Sequence, residues 1–206
     1  QARYMVFDRK DVLNDLNGAV QKIKENLGFP CFIKPCNAGS SVGVGKAKNE
    51  EELKNCLLAA GMHDRRILAE EFIDGREVEC AVLGNDNPAA SVVGEIIPCN
   101  EFYDYEAKYS KNSTSEIKIP AELPEETSET IREYSVRAFK ALGCAGLSRV
   151  DFFVHRKTGK VYINEINTMP GFTSISMYPK LWEACGISYK ELIGILIELA
   201  FERFEN

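Results

Sequence analysis

Arg149 and Asp151 lie two residues apart in the apolar run LSRVDFFV, and Glu165 and Asn167 do the same in VYINEIN. In an extended chain, residues two apart share a face, so each run carries a pair of polar groups on one side. The runs flank a turn around Thr158-Gly159. With a three-residue loop, Lys157-Thr158-Gly159, antiparallel pairing sets Asp151 opposite Glu165 and Arg149 opposite Asn167, all on one surface. Two carboxylates and an amide oxygen are hard donors, and magnesium takes a few such ligands and completes its shell with water and phosphate oxygens. The spacing alone suits a solvated face laced with cross-strand ion pairs equally well.

Three further stretches could serve the same chemistry. In IKPCNAGSSVGVGK, Lys34 precedes a loop containing Gly39, Ser40, Ser41 and Gly43; small residues let backbone N–H groups approach a phosphate and a nearby lysine supplies charge. The loop departs from the Walker A pattern, because Ser40 stands where the first glycine belongs, Ala47 follows Lys46 and no helix follows directly. A flexible hairpin tip is the alternative. In EEFIDGREVE, the strand exit from Glu70 to Ile73 can offer backbone groups to a purine edge and Glu77 a carboxylate to ribose hydroxyls, although an ordinary acidic turn has the same look. EFYDYEAKYS mixes Tyr103, Tyr105 and Tyr109 with Lys108, as a lid or as an aromatic loop packed on a core.

The elements that must position these groups are mixed. Helical spacing runs from Val12 to Leu27 and stops at Gly28. FPCFIKP and VGVGKAK read as a hairpin, Asn49 with Glu52 as a capping box opening a helix, and RILAEEFI, EVECAVLGN and AASVVGEIIP as strands. A long connection follows from Tyr103 to Pro120. Pro124 opens a helix that ends at Gly143, the GLSRVDFFV/KVYINEIN hairpin comes next, and Ser188 with Glu191 caps a final helix with Leu192, Leu196 and Leu199 along one side. Irregular mixing with hairpins predicts an α+β fold rather than a doubly wound parallel sheet.

Composition narrows the field. The 206 residues are 45% hydrophobic and carry a net charge of −6, enough for a real core and without the basic stripe that tracks a nucleic-acid backbone. Seven cysteines without a C-x-x-C pair, mostly in apolar runs, predict buried reduced thiols of a cytosolic protein rather than disulfides or zinc. His63 and His155 offer little material for a metal site and read as surface or loop residues. The apolar run LIGILIELAF is short and interrupted by Glu198, so no membrane span is expected.

Together, FIKPCNAGSSVGV, EEFIDGREVECAVLGN, EFYDYEAKYS, ALGCAGLSRVDFFV and NEINTMPGFTSISMYPKLW resemble, in order and spacing, the D-alanine–D-alanine ligases of the ATP-grasp superfamily. The resemblance implies two α+β subdomains with the nucleotide site between antiparallel sheets, about 1–73 forming a truncated central subdomain and 74–206 the C-terminal one. It implies ATP with two magnesium (or manganese) ions on Asp151, Glu165 and Asn167. Nucleotide contacts fall to Lys34, Lys108, Ser41, Glu70, Glu71, Phe72, Ile73, Glu77 and Phe153. The catalytic set is Arg149 for the oxyanion of the tetrahedral intermediate, the Gly171 backbone, Ser40 of the flexible loop, and Tyr109 of the loop that closes the site and excludes water. Ser176 and Met177 match the segment that holds the second amino acid.

The reaction so implied is joining of two D-alanines through an acyl phosphate, in the cytoplasm, for peptidoglycan precursors that maintain the cell wall and cell shape; a homodimer is possible for the full-length enzyme. Met177 leans toward D-alanine over D-serine as acceptor. The chain opens at Gln1 without the N-terminal substrate domain, or the first piece of the central subdomain with its further ATP-binding lysine, so it is expected to be inactive or feeble alone. The rival readings are a D-alanyl-D-serine ligase, another ATP-grasp carboxylate–amine ligase, and a non-catalytic ATP-binding module, against which a complete metal set and Arg149 argue.

Overall fold

The computed structural model describes residues 1–39, 41–97 and 116–205. Contacts divide them into two units, Gln1–Ile73 and Asp74–Ile97 with 116–205. The architecture is α+β with two antiparallel sheets, the fold class expected from the sequence.

The first unit holds β1 (Tyr4–Asp8), α1 (Arg9–Asn14), α2 (Leu16–Asn26), β2 (Cys31–Pro35), β3 (Gly45–Ala47), α3 (Glu50–His63) and β4 (Arg66–Glu71), with sheet order β1-β4-β2-β3. The single helix expected over Val12–Leu27 is broken: Asp15 leaves the helical region and its Oδ1 accepts the Gly18 N–H at 2.8 Å, capping a second start. The expected capping box is present, the Asn49 side chain accepting from Glu52 N at 2.9 Å and donating to Glu52 Oε1 at 2.8 Å. One sheet face, with Cys31, Ile33, Ala47, Ile67 and Ala69, is buried against Val12, Val20 and Ile23 of the α1–α2 pair and Leu53 and Leu57 of α3. Alternation sends Phe32, Lys34, Lys46 and Glu70 to the other face.

The second unit is a five-stranded sheet, β7-β6-β5-β8-β9, formed by β5 (Gly75–Gly84), β6 (Ala89–Ile97), β7 (Glu116–Lys118), β8 (Gly146–His155) and β9 (Val161–Asn167). Helix α4 (Glu125–Ala141) covers one face, burying Ile131 and Phe139 against Val78, Cys80, Val82, Val150 and Phe152. Pro124 is the residue before its first turn rather than within it. On the opposite face sit α5 (Met177–Ala184) and α6 (Tyr189–Glu205), with the Tyr178 hydroxyl donating to Val82 O at 3.0 Å. At Gly94 of β6 a Cβ would lie 2.9 Å from both Leu181 Cδ2 and Met177 Sδ, so the missing side chain is what lets α5 sit down on the strand. Strand β7 lies inside the stretch expected to be one connection from Tyr103 to Pro120, and α5 was not foreseen. The Ser188–Glu191 box caps α6, with Ser188 N and Oγ both donating to Glu191 Oε2.

The cysteine expectation needs correction in part. Cys31 and Cys80 are buried, whereas Cys36 and Cys185 are exposed; all six described cysteines are free thiols. No helix among the described residues is long and apolar enough to cross a membrane.

Candidate functional site

The second unit assembles the polar row anticipated from the sequence. Asp151 pairs with Glu165 and Arg149 with Asn167. The turn, however, is one residue longer than expected: His155 N donates to Lys160 O at 2.9 Å, leaving the four residues Arg156–Gly159 in the loop, and Gly159 adopts φ +67°. That longer loop would shift every pair by one. A bulge where Asp151 pairs with Glu165 but Phe152 with Ile163 leaves Asn164 as the extra residue and restores the register at the polar row.

Within the row, Arg149 binds Asp151 in fork geometry, Nε to Oδ1 at 2.7 Å and Nη2 to Oδ2 at 2.6 Å. Strand β5 adds a residue that motif reading overlooked. Glu79 is paired with Asp151 across β5–β8, is 3% exposed, and brings Oε2 to 3.0 Å from Arg149 Nε. One guanidinium thus faces the carboxylates of Asp151, Glu79 and Glu165. Burial by itself would lower the Arg149 pKa, but these charges, Asp151 foremost, raise it instead, so the cation is fixed at all working pH. Period-two alternation from Glu77 was the available signal for Glu79.

Asp151 is buried at 3% exposure and Glu165 is exposed. Asn167 Oδ1 accepts the Met169 N–H at 3.1 Å, so the amide oxygen is fixed just where the strand ends. Among the described residues no three His, Cys, Asp or Glu side chains form a metal cluster by themselves. Two carboxylates and an amide oxygen on adjacent strands nevertheless suit a magnesium ion that draws its other ligands from phosphate and water. Glu77 and Phe153 form the next pair along the same face.

After β9 the chain folds back on itself. The Ser176 hydroxyl accepts from Thr173 N at 3.0 Å and lies 2.9 Å from Thr173 Oγ1, while a Cβ on Gly171 would fall 2.8 Å from Ser176 Oγ. Glycine at 171 therefore makes room for Ser176. Met177 is 5% exposed and packs toward Gly94, so its side chain belongs to the core under α5.

In the first unit, Lys34 is ion-paired with Glu70, and Lys46 Nζ lies 4.2 Å from the Phe72 ring centroid, with Phe32 and Phe72 centroids 6.2 Å apart. Lys46 and Phe32 were not singled out as binding residues; alternation along β2 relates Phe32 to Lys34, and Lys46 joins their face only through the pairing of β2 with β3. Glu71 binds Arg3 through Nε at 2.7 Å and its backbone N–H at 2.8 Å, while Ile73 ends the unit. The glycine loop is tethered at both ends. Asp64 Oδ2 accepts the Asn37 backbone and side-chain N–H groups at 2.7 Å each, and Gly43, at φ +72°, packs so tightly that a Cβ would lie 2.5 Å from His63 Cδ2. Hydrogen bonds from Arg66 N, then from Asn37, hold the Asp64 carboxyl below its ordinary pKa. Ser41 adopts φ 59°, unusual for a non-glycine residue and the kind of backbone found at ligand loops. Ser40, Lys108 and Tyr109 lie outside the described residues.

Two antiparallel α+β units, one presenting lysines, aromatics and a glycine loop and the other a row of carboxylates around an arginine, define an ATP-grasp protein. The chain belongs to the family described as D-ala D-ala ligase C-terminus, whose model matches residues 1–198. It is 67% identical over 206 residues to the D-alanine–D-alanine ligase of Acetivibrio thermocellus, covering 100% of this chain and 54% of that protein. The ligase of the same name from Ruminiclostridium cellulolyticum is 65% identical over 207 residues, covering 100% and 55%. Among solved structures, the D-alanine-D-alanine ligase from Coxiella burnetii superposes with a TM-score of 0.84 at 37% identity, covering 99% of this chain and 53% of that one. The VanG D-Ala:D-Ser ligase from Enterococcus faecalis gives 0.83 at 39% identity, covering 96% and 56%. The chain spans about half the length of the relatives it matches.

Proposed function

We propose that this chain is the nucleotide- and metal-binding part of an ATP-dependent ligase that joins two D-alanines into D-alanyl-D-alanine for peptidoglycan precursors in the cytoplasm. The observation that carries the reading is the cross-strand row of Asp151, Glu165 and Asn167 with Arg149 beside it. D-alanine as the second substrate is supported by the names of the relatives at 67% and 65% identity; the D-Ala:D-Ser ligase structure stands at 39%.

The first unit is assigned purine and phosphate recognition: Lys34 and the loop with Ser40 and Ser41 at the phosphates, and Glu70, Glu71, Phe72 and Ile73 at the base. Glu77 is assigned to the ribose, with Phe153 and Lys108 at the nucleotide. Asp151, Glu165 and Asn167 would hold two magnesium (or manganese) ions, whose charge would offset that of the phosphates while a carboxylate attacks the γ-phosphate, forming an acyl phosphate and expelling ADP. Arg149, held by two buried carboxylates, donates toward the oxyanion that forms when the second amine attacks, and the Gly171 N–H assists it. Ser176, fixed by Thr173, offers a hydroxyl to the acceptor's carboxylate, and Tyr109 closes the site.

Calorimetric titration of the 206-residue chain with ATP, with magnesium and with EDTA, tests the nucleotide reading. Saturable binding that strengthens with magnesium is expected; binding of equal strength in EDTA would overturn the metal assignment. D-alanine-dependent phosphate release by the whole protein separates a ligase from a module that only binds ATP.

A further inference from the structure

The Arg149 Nε–H is hydrogen-bonded to one buried carboxylate, Asp151, while a second, Glu79, stands beside it as an ion-pair contact outside hydrogen-bond geometry. Asp151 Oδ1 stands at 2.7 Å and Glu79 Oε2 at 3.0 Å. Both acceptors are nearly dry, their side chains 4% exposed, while Arg149 itself is 18% exposed. As the row stands, the guanidinium occupies both oxygens of Asp151. A dication approaching the same carboxylate meets a fixed cation already bound there, and in a site with little water that repulsion is poorly screened. The arginine needs a second anchor that leaves it in the site.

We propose that Glu79 is that anchor: when magnesium binds Asp151, the Arg149 guanidinium shifts its hydrogen bonds from Asp151 to Glu79 and remains in the row. Glu79 is thus a positioning residue, acting through Arg149. This inference rests on the metal assignment to Asp151. Its geometry is favourable because Glu79 and Asp151 are directly paired across β5 and β8, and each brings a carboxylate oxygen to within 3.0 Å of Arg149 Nε. A buried charge keeps a partner in both states, which avoids leaving an uncompensated guanidinium in the interior.

The test compares the wild-type chain, Glu79→Gln, Arg149→Met and the double variant. ATP affinity is measured calorimetrically in magnesium and in EDTA, and the ratio is the gain due to magnesium. Loss of a charged hydrogen-bond acceptor corresponds to about tenfold to a hundredfold, so Glu79→Gln is expected to cut the gain by that factor while affinity in EDTA stays the same. With Arg149→Met as the background there is no guanidinium to rehouse, and adding Glu79→Gln is expected to change the gain less than about threefold, the non-additivity of coupled sites. An unchanged gain in Glu79→Gln overturns the proposal. So does an equal loss in both backgrounds, which would mean that Glu79 acts on the metal through its own charge. Either result leaves the metal assignment standing, whereas a wild-type chain with no gain from magnesium removes that assignment and this inference together. If Glu79→Gln fails to fold, the nitrogen-15 resonance of Arg149 Nε in the wild-type chain serves instead. It is expected to shift on addition of magnesium ATP relative to ATP in EDTA, and a resonance that stays in place overturns the proposal.

Discussion

Replacing Asp151 by asparagine and Glu165 by glutamine separates the two roles of the carboxylate row. Asp151 is 3% exposed and receives two guanidinium hydrogen bonds at 2.7 and 2.6 Å. An asparagine of the same shape keeps one acceptor but turns an N–H₂ donor toward an arginine donor. Removing one partner of a buried pair costs about 3–5 kcal/mol, and Glu79 at 3.0 Å still compensates the cation, so the lower end, about 3 kcal/mol, is expected. For a chain of this size that is a fall in Tm of roughly 6–12 °C. Glu165 is exposed, and Glu165→Gln should change stability by less than about 1 kcal/mol. Both substitutions should abolish the magnesium-dependent part of ATP binding. Differential scanning fluorimetry gives the melting temperatures and calorimetry the affinities. If both variants retain magnesium-dependent binding, the metal assignment is wrong. If Asp151→Asn melts with the wild type, the buried fork contributes nothing to the fold.

Gly94→Ala should strain the seat of α5, since the new Cβ meets Leu181 and Met177 at 2.9 Å and Ile119 Cγ1 at 3.3 Å; a loss of about 1–3 kcal/mol is expected by denaturant titration, and unchanged stability would show that these side-chain ends move aside freely. Alkaline pH should weaken both units, because burial pushes the Cys31 and Cys80 thiols up to about 11 from an ordinary 9.0. Between those values the unfolded chain releases protons that the folded chain keeps, so stability present below pH 9 falls as pH rises toward 11, by at most about 1.4 kcal/mol per thiol per pH unit. Cys80→Ala should flatten part of that decline in a pH series of melts.

The polar row was legible because alternation and a hairpin are local: Arg149, Asp151, Glu165 and Asn167 declare their shared face within twenty residues of chain. The caps at Asn49 and Ser188 were legible for the same reason. Elements fixed by distant partners were not. The edge strand β1 takes its place by pairing with β4 some sixty residues on, and β7 is three residues held by β6. Helix α5 was hidden by Pro179, which sits in its first turn, where a missing N–H costs nothing. Asp15 reads as an ordinary surface residue within a periodic pattern until its side chain is seen capping Gly18. Glu79 looked like one more acid in an acidic stretch because its importance comes from a strand seventy residues away. Lys46 and Phe32 acquire a common surface only once β2 and β3 pair.

The bulge at Asn164 means that two differently built hairpins would deliver the same row of ligands. A regular ladder closed by three loop residues and a bulged ladder closed by four both place Asp151 beside Glu165. Both hairpins use the same residues 152–164 between the two carboxylates, so one exchanges for the other without a change of chain length, and a residue deleted from the tip, such as Thr158, is absorbed by ironing out the bulge beneath a four-residue loop. Length variation at this outer tip is in effect decoupled from the spacing of the reactive groups, so the hairpin can drift in length over evolutionary time while the row stays in place.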